Sequence, residues 1–147
     1  MTEPLRPSVL LALPDPRSRL RVTAALRGRY DLVPIEPGGD PLRAVRAVRP
    51  RAVLLQVRRG QTANALRACR AIKTDAGNPP LVALVDPRRR LSDPVAALQA
   101  SLADGYLGDE PEPAALRAFM DELLAGRRPV RAAPVRRRGL WRRLRGR

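Results

Sequence analysis

The sequence predicts a doubly wound α/β domain, in which five parallel strands lie between two layers of helices. Three observations lead to this prediction. Residues 51–57 form an apolar run without polar alternation, which is typical of a strand that is buried on both faces. Apolar runs alternate with amphipathic helical stretches along the chain, and this rhythm indicates a parallel sheet. The length of 147 residues suits a single domain.

The first predicted strand covers residues 8–13 and ends at Pro14, because proline cannot donate to a strand ladder. A helix follows over about residues 17–27. We expect Leu20, Ala24 and Leu26 to face inward, and Gly28 is a natural C-cap.

The second strand covers residues 31–35 and contains Pro34, which places it at an edge of the sheet. Asp40 and Pro41 then form a strong helix start, with an acceptor side chain at the N-cap and a proline at the first helical position. Apolar residues follow at helical spacing: Leu42, Val45 and Val48.

The central strand, residues 51–57, is followed by a helix over about residues 61–73. Its single cysteine, Cys69, lies on the apolar face and is expected to be a small core residue rather than a reactive thiol. The fourth strand covers residues 81–85.

Asp93 and Pro94 begin the fourth helix, and residues 105–107 form a short fifth strand. The last helix begins near Pro113 and ends at Gly126. Its apolar stripe is the clearest in the chain: Leu116, Phe119, Met120, Leu123 and Leu124.

The charge is distributed unevenly along the chain. Residues 127–147 contain ten of the 29 basic residues and no acid. We therefore expect a flexible lead over residues 1–7, a folded domain over 8–126, and an arginine-rich tail over 127–147 that is disordered by itself. One cysteine excludes an internal disulfide and fits a reducing compartment. Without an apolar run of membrane-spanning length or a signal-peptide pattern, a cytoplasmic location is expected.

The tail is a candidate binding segment for an anionic partner. Its arginines are interrupted by one aromatic residue, which suits an interfacial contact with anionic lipid better than stacking on single-stranded nucleic acid. A nucleic acid, an acidic protein groove and a mere solubility segment remain as alternatives. The candidate binding residues are Arg136, Arg137, Arg138, Trp141, Arg142 and Arg143.

Known catalytic patterns are missing from the sequence, which has no histidine, no CxxC and no GxGxxG. In a doubly wound sheet the functional crevice lies beyond the carboxyl ends of the strands, so Gln56 at the end of the central strand is expected to face it. A carboxamide can hydrogen-bond, but it is a poor nucleophile and a poor base. The sequence therefore argues against an enzyme.

The order and spacing of these segments resemble a receiver domain, the module of bacterial two-component response regulators. The resemblance covers about residues 8–125. Residues 49–57 resemble the third-strand segment of that family, residues 80–85 the fourth, and residues 103–107 the fifth. It implies a flavodoxin-like (βα)5 three-layer sandwich.

In that family, two adjacent acids after the first strand hold magnesium, and an aspartate on the third strand accepts a phosphoryl group. A hydroxyl residue on the fourth strand senses this group, and a lysine on the fifth neutralises it. The corresponding positions here are Leu13 and Pro14, with Asp15 one position late, then Gln56, Val85 and Asp109. Phosphoryl transfer needs the nucleophile, the cation and the neutralising charge together. The resemblance therefore implies a degenerate pseudo-receiver without catalysis, cofactor or metal.

Three acids remain near the strand ends: Asp15, Asp86 and Asp109. They could bind a divalent cation, although the favoured alternative is a solvated salt-bridge cluster with Arg58, Arg59 or the basic run at residues 88–90.

Receivers signal through their fourth helix, fifth strand and fifth helix. On this chain the resemblance places that interaction face at Leu98, Tyr106, Arg117 and Asp121. The predicted function is a non-catalytic adaptor with a protein partner in phosphorelay signalling, whose tail assists docking at an anionic surface such as the inner face of the membrane. The alternative is a nucleic-acid-binding regulator that works through the tail. The sequence leaves the oligomeric state open.

Overall fold

A computed structural model describes residues 5–75 and 77–132. These residues form a six-stranded parallel sheet with five helices, and the strand order is β2-β1-β3-β4-β5-β6. The elements in chain order are β1 (Ser8–Ala12), α1 (Pro16–Leu26), β2 (Asp31–Pro34), α2 (Pro41–Val48), β3 (Ala52–Gln56), α3 (Thr62–Asp75), β4 (Leu81–Val85), α4 (Pro94–Ser101), β5 (Gly105–Leu107), α5 (Pro113–Leu124) and β6 (Val130–Arg131). The predicted doubly wound α/β class is confirmed.

Two hydrophobic cores lie on opposite faces of the sheet. One packs α1 and α5 against it, and the other packs α2, α3 and α4. Neighbouring residues of β3 point into different cores: Leu54 into the first and Leu55 into the second. β3 is paired on both sides, with β1 and β4, so the prediction of a central strand is confirmed. The prediction that the second strand lies at an edge is also confirmed.

Three helices begin at an aspartate followed by proline: α2 and α4, as predicted, and α1, which we expected to begin near residue 17. Asp15, Asp40 and Asp93 each accept a hydrogen bond from a backbone N–H in the first turn of their helix. α5 also begins with proline, but Glu112 at its N-cap makes no such side-chain bond.

The inward face of α1 differs from the prediction at Leu20 and Ala24, whereas Leu26 is buried as expected. Leu20 is 71% exposed and Ala24 is also exposed. The buried residues are Ser18, Val22, Ala25 and Leu26, whose i, i+4, i+7 and i+8 spacing forms the stripe that packs toward α5. The sequence of α1 contains two apolar stripes, and packing against α5 selects the other one.

The sixth strand was not predicted. β6 lies beside β5 in parallel, with Val130 opposite Tyr106 and Arg131 opposite Leu107. The sheet therefore continues past Gly126, where we expected the folded domain to end.

Candidate functional site

The carboxyl edge of the sheet is the predicted crevice, and Gln56 lies there at the end of β3. Its side chain is half-buried. The amide oxygen Oε1 accepts a hydrogen bond of 3.2 Å from the backbone N–H of Asp15. This bond connects the end of β3 to the turn between β1 and α1. Gln56 thus lies at the predicted edge, where it is partly enclosed and accepts a hydrogen bond from neighbouring backbone.

The residues that follow β1, where receiver domains carry cation-binding acids, have structural roles in this chain. Leu13 is buried in the first core, and Pro14 follows it in the turn. The carboxylate of Asp15 accepts bonds of 3.1 Å from the N–H of Arg17 and from the hydroxyl of Ser18. Asp15 therefore caps α1.

Asp86, which directly follows β4, is completely buried. Its carboxylate accepts three hydrogen bonds: from the N–H of Arg90 (2.8 Å), the N–H of Leu91 (2.9 Å) and the hydroxyl of Tyr106 (2.8 Å). Buried carboxylates require such partners, because an uncompensated charge in the interior is costly. Asp86 therefore fixes the conformation of the loop between β4 and α4.

Tyr106 lies inside the protein, with 1% of its surface exposed. Burial raises the pKa of its hydroxyl, and the hydrogen bond to Asp86 and the charge of Asp86 raise it further. A Cβ on Gly108 would collide with the tyrosine ring, so glycine at this position permits the buried orientation. Our prediction that Tyr106 contributes a contact surface is wrong for this structure, because Asp86 and Gly108 hold the ring in the second core.

Asp109 lies after β5, next to β6. Its Oδ2 is 3.5 Å from Nε of Arg131. Its Oδ1 is buried and has no hydrogen-bond partner among the described residues. Val85, the position of the expected hydroxyl residue, is 3% exposed at the end of β4.

The predicted salt-bridge cluster is not what the three acids form. Asp15 caps a helix, Asp86 accepts backbone and tyrosine donors, and Asp109 pairs with Arg131 rather than with residues 58, 59 or 88–90. Within residues 5–75 and 77–132, no three histidine, cysteine or acidic side chains are grouped so that they could hold a metal ion. Asp15 and Asp86 instead accept hydrogen bonds from backbone and hydroxyl donors, and Asp109 lies beside the guanidinium of Arg131.

Two clefts open at this edge. One, of about 260 Å³, is lined by Gln56, Gln61 and Asn64 among mostly apolar neighbours. The other, of about 370 Å³, lies between α1 and the β5–α5 loop, where Arg21 and Glu110 form an ion pair of 2.9 Å.

Comparisons with known proteins give matches in structure only. No family model matches the chain, and no curated protein is detectably similar in sequence. A response regulator from Chloroflexus aurantiacus has a TM-score of 0.68 at 19% identity, over 82% of this chain and 98% of that one. A LuxR-family two-component response regulator from Aurantimonas has a TM-score of 0.65 at 22% identity, over 84% and 89%. The chain has the receiver fold.

Some of the similar structures are longer than this receiver-like chain. ChrA, the response regulator of a haem-sensing two-component system, has a TM-score of 0.60 at 19% identity. The match covers 95% of this chain and 66% of ChrA, and this chain covers 54% of DrrB from Thermotoga maritima. This chain thus spans two thirds or less of these regulators.

The four residues of the predicted interaction face do not share one surface of this receiver-like domain. Leu98 packs partly against the second core, on the α4 side. Arg117 donates to the carbonyl of Ala25, and Asp121 accepts from the hydroxyl of Tyr30 at 3.3 Å, so both contact residues on or just after α1. The receiver-like sheet lies between these two sides.

Reactive groups elsewhere in the receiver-like domain are enclosed. Cys69 is fully buried, and burial raises the pKa of its thiol to about 12. Lys73 lies at the opposite edge of the sheet, where its ammonium contacts the carbonyl of Pro80 at 3.0 Å and Asp104 at 2.7 Å. Neither can act at the carboxyl edge.

The predicted tail residues Arg136, Arg137, Arg138, Trp141, Arg142 and Arg143 lie outside the described residues. None of the described helices is both long and apolar enough to cross a membrane.

Proposed function

We propose that this chain is a non-catalytic receiver-like module that acts in signal transduction by contacting a protein through the outer face of α4. The fold it shares with response regulators supports a signalling role by analogy. The chemistry at the carboxyl edge supports a role without phosphoryl transfer. Gln56 offers no carboxylate nucleophile, and the carboxylates of Asp15 and Asp86 already accept hydrogen bonds from backbone and hydroxyl donors.

The composition of α4 is the observation that carries the proposal. Its sequence, PVAALQAS, contains no charged residue, whereas 29% of the whole chain is charged. Val95 is 58% exposed and Leu102, its C-cap, is 40% exposed. With Leu98 between them, these residues have the i, i+3, i+7 spacing of one helix face. An exposed apolar face on a helix without charges favours a protein contact.

The backbone at the end of α4 supports the same site. Leu102 has a left-handed conformation, with φ of 64°, which is unfavourable for a residue other than glycine. This conformation directs the chain into β5 and leaves the leucine side chain partly exposed at the end of the apolar face.

Site-specific photo-crosslinking tests this proposal in extracts of the source organism. A benzoylphenylalanine at position 95 should give a discrete protein adduct, and Leu102→Glu in the same chain should remove it. The matched control places the crosslinker at position 20, because Leu20 is an apolar residue at least as exposed as Val95 and lies on α1, in the other helix layer. Equal adducts from positions 95 and 20, or an adduct unaffected by Leu102→Glu, would exclude α4 as the contact surface.

A second candidate function is binding of an anionic surface by the arginine-rich tail. The ten basic residues and absence of acids in residues 127–147 favour it. A chain ending at Ala132 is the appropriate truncation, because ending at Gly126 would also delete β6. This truncated chain should lose binding to vesicles that contain acidic lipid, and Trp141→Ala should weaken it.

Salt and competition distinguish the possible anions. High salt should reduce vesicle binding strongly, because the screening length falls to about 3 Å at 1 M. If duplex DNA displaces the chain from vesicles, and affinity falls with a slope near −0.9 per phosphate contact, nucleic acid is the target instead. Binding that survives truncation at Ala132 would exclude the tail altogether.

A further inference from the structure

The edge of β5 holds a short segment of this chain in an extended conformation. The N–H of Tyr106 donates to the carbonyl of Pro129 at 3.0 Å, and the N–H of Gly108 donates to the carbonyl of Arg131 at 2.6 Å. Pro129 is buried, whereas Val130 is 51% exposed. The segment Pro129-Val130-Arg131 thus satisfies one backbone donor in β5 and one directly after it, which would otherwise lie at an open sheet edge.

An acidic side chain just after β5 and a glycine within β5 favour this segment at the edge. Arg131 approaches Asp109 with 3.5 Å between Nε and Oδ2, and the Asp109 side chain is largely buried. A Cβ on Gly105 would lie 3.2 Å from the carbonyl oxygen of Pro129, which is a tight contact, so glycine lets the segment approach closely. The edge therefore holds Pro129 in a buried position and, two residues later, brings the guanidinium of Arg131 to Asp109.

The segment is also held by few interactions. β6 contains two residues, and both are exposed. The connection from α5 includes two left-handed residues, Gly126 with φ of 75° and Arg128 with φ of 53°. The second of these is unfavourable for arginine. Edge segments with few buried contacts open at low free energy, so β6 is suited to exchange.

The sequence repeats the docked tripeptide. Pro-Val-Arg occurs at residues 129–131 and again at residues 134–136, and nowhere else in the chain. The two copies are five residues apart. The second copy offers the same proline, the same two carbonyl acceptors and the same guanidinium as the copy that pairs with β5.

We propose that the edge of β5 is a binding groove for an extended Pro-Val-Arg segment, and that residues 134–136 exchange with residues 129–131 in this groove. Exchange lengthens the connection after α5 by five residues, which relieves the constraint on Arg128. It also replaces Arg131 by Arg136 at Asp109. The groove thereby sets how much of the arginine-rich segment is held against the domain. This inference does not depend on the proposed contact at α4.

Hydrogen exchange measured at single amides of the full chain tests whether residues 134–136 can replace residues 129–131 in the groove. Arg131→Asp places a carboxylate against Asp109, so the first copy should leave the groove and the second should replace it. The Tyr106 and Gly108 amides should then exchange within about twofold of the unmodified chain. With Arg136→Asp added, neither copy fits, and exchange of these two amides should accelerate by at least about tenfold.

The control is a double variant with the same net charge, in which the second substitution is moved by one position. The pair Arg131→Asp with Arg137→Asp should behave like Arg131→Asp alone. If both pairs accelerate exchange equally, or if Arg131→Asp alone gives the full acceleration, the second copy does not dock. Unchanged protection of α5 amides establishes that the variants are folded.

A peptide experiment avoids substitutions altogether. An excess of a synthetic peptide with the sequence of residues 132–138 should shift the NMR signals of the Tyr106 and Gly108 amides in the unmodified chain. A shuffled peptide of the same composition should leave them unchanged. Equal shifts from both peptides would indicate charge attraction alone and overturn the proposal, as would no shift from either.

Discussion

Replacing Tyr106 by phenylalanine removes one hydrogen bond from a carboxylate that has no exposed surface. The hydroxyl donates to Oδ2 of Asp86 at 2.8 Å, and the two backbone N–H donors of Arg90 and Leu91 remain after the change. Hydrogen bonds to charged groups contribute about 1.5–3 kcal/mol. Because the acceptor is fully buried and keeps two of its three donors, we expect Tyr106→Phe to lower the free energy of unfolding by about 2 kcal/mol.

Tyr30→Phe is the matched control. The hydroxyl of Tyr30 donates to Asp121 at 3.3 Å, and the side chain of Asp121 is 58% exposed. Water can replace this donor, so the cost should be about 0.5 kcal/mol. The two tyrosines are similarly buried, with 7% and 1% exposure, and the comparison therefore isolates the acceptor.

Urea unfolding followed by circular dichroism at 222 nm measures both variants. A double-mutant cycle with Asp86→Asn should give a coupling energy of about 1 kcal/mol between positions 86 and 106. Equal losses for Tyr106→Phe and Tyr30→Phe, with no coupling to position 86, would refute the buried orientation of Tyr106. The tyrosine would then belong on the interaction surface, as the sequence first suggested.

Further predictions concern the carboxyl edge and both cores. Acetyl phosphate with magnesium should leave the intact mass unchanged because Gln56 is no phosphoacceptor, and a hydroxylamine-sensitive phosphoryl adduct would contradict this. Leu54→Ala should lower the free energy of unfolding by about 2–5 kcal/mol. Gln56→Ala should lower the free energy of unfolding by only about 1 kcal/mol, because it removes one hydrogen bond, from the N–H of Asp15. Equal urea midpoints for Leu54→Ala and Gln56→Ala would show a larger role for the amide. Burial raises the pKa of the Cys69 thiol from 9.0 to about 12, so the stability contributed by the neutral thiol is complete below pH 9 and is lost as the pH rises to 12. Cys69→Ala should therefore make the loss of stability between pH 9 and pH 12 less steep. An unchanged slope would contradict this prediction.

The sequence predicts most element boundaries because proline, glycine and aspartate define them locally. β4 and β5 have the predicted limits, and α2 and α4 begin at the predicted aspartate–proline pairs. These signals act through backbone dihedrals and capping bonds, which do not depend on the rest of the fold.

The errors have non-local causes. The inward face of α1 depends on α5, which lies about 90 residues later in the chain. Tyr106 can be buried because Asp86, at the end of β4, accepts a hydrogen bond from its hydroxyl. β6 consists of two residues in an arginine-rich stretch, which is too short to show a strand pattern in the sequence. Its pairing depends on backbone N–H groups in and after β5, which the sequence does not reveal.

At the candidate site, the missing carboxylate at position 56 is visible in the sequence itself. The roles of the three nearby aspartates were not visible. Each carboxylate has a partner that is fixed by the fold, so composition alone indicated a cluster that does not form.

The enclosure of Lys73 and Cys69 has a consequence for how this protein responds to acidity. The chain has no histidine, and Lys73 is its only lysine, so all other basic side chains are arginines. Arginine stays protonated throughout the biological range, and histidine is the side chain that normally titrates near neutrality. The buried thiol ionises only in strong alkali. The side-chain charge of this protein should therefore remain nearly constant between about pH 6 and pH 9. Its electrostatic attractions would then change with ionic strength, competing anions or modification of arginine, and hardly at all with acidification.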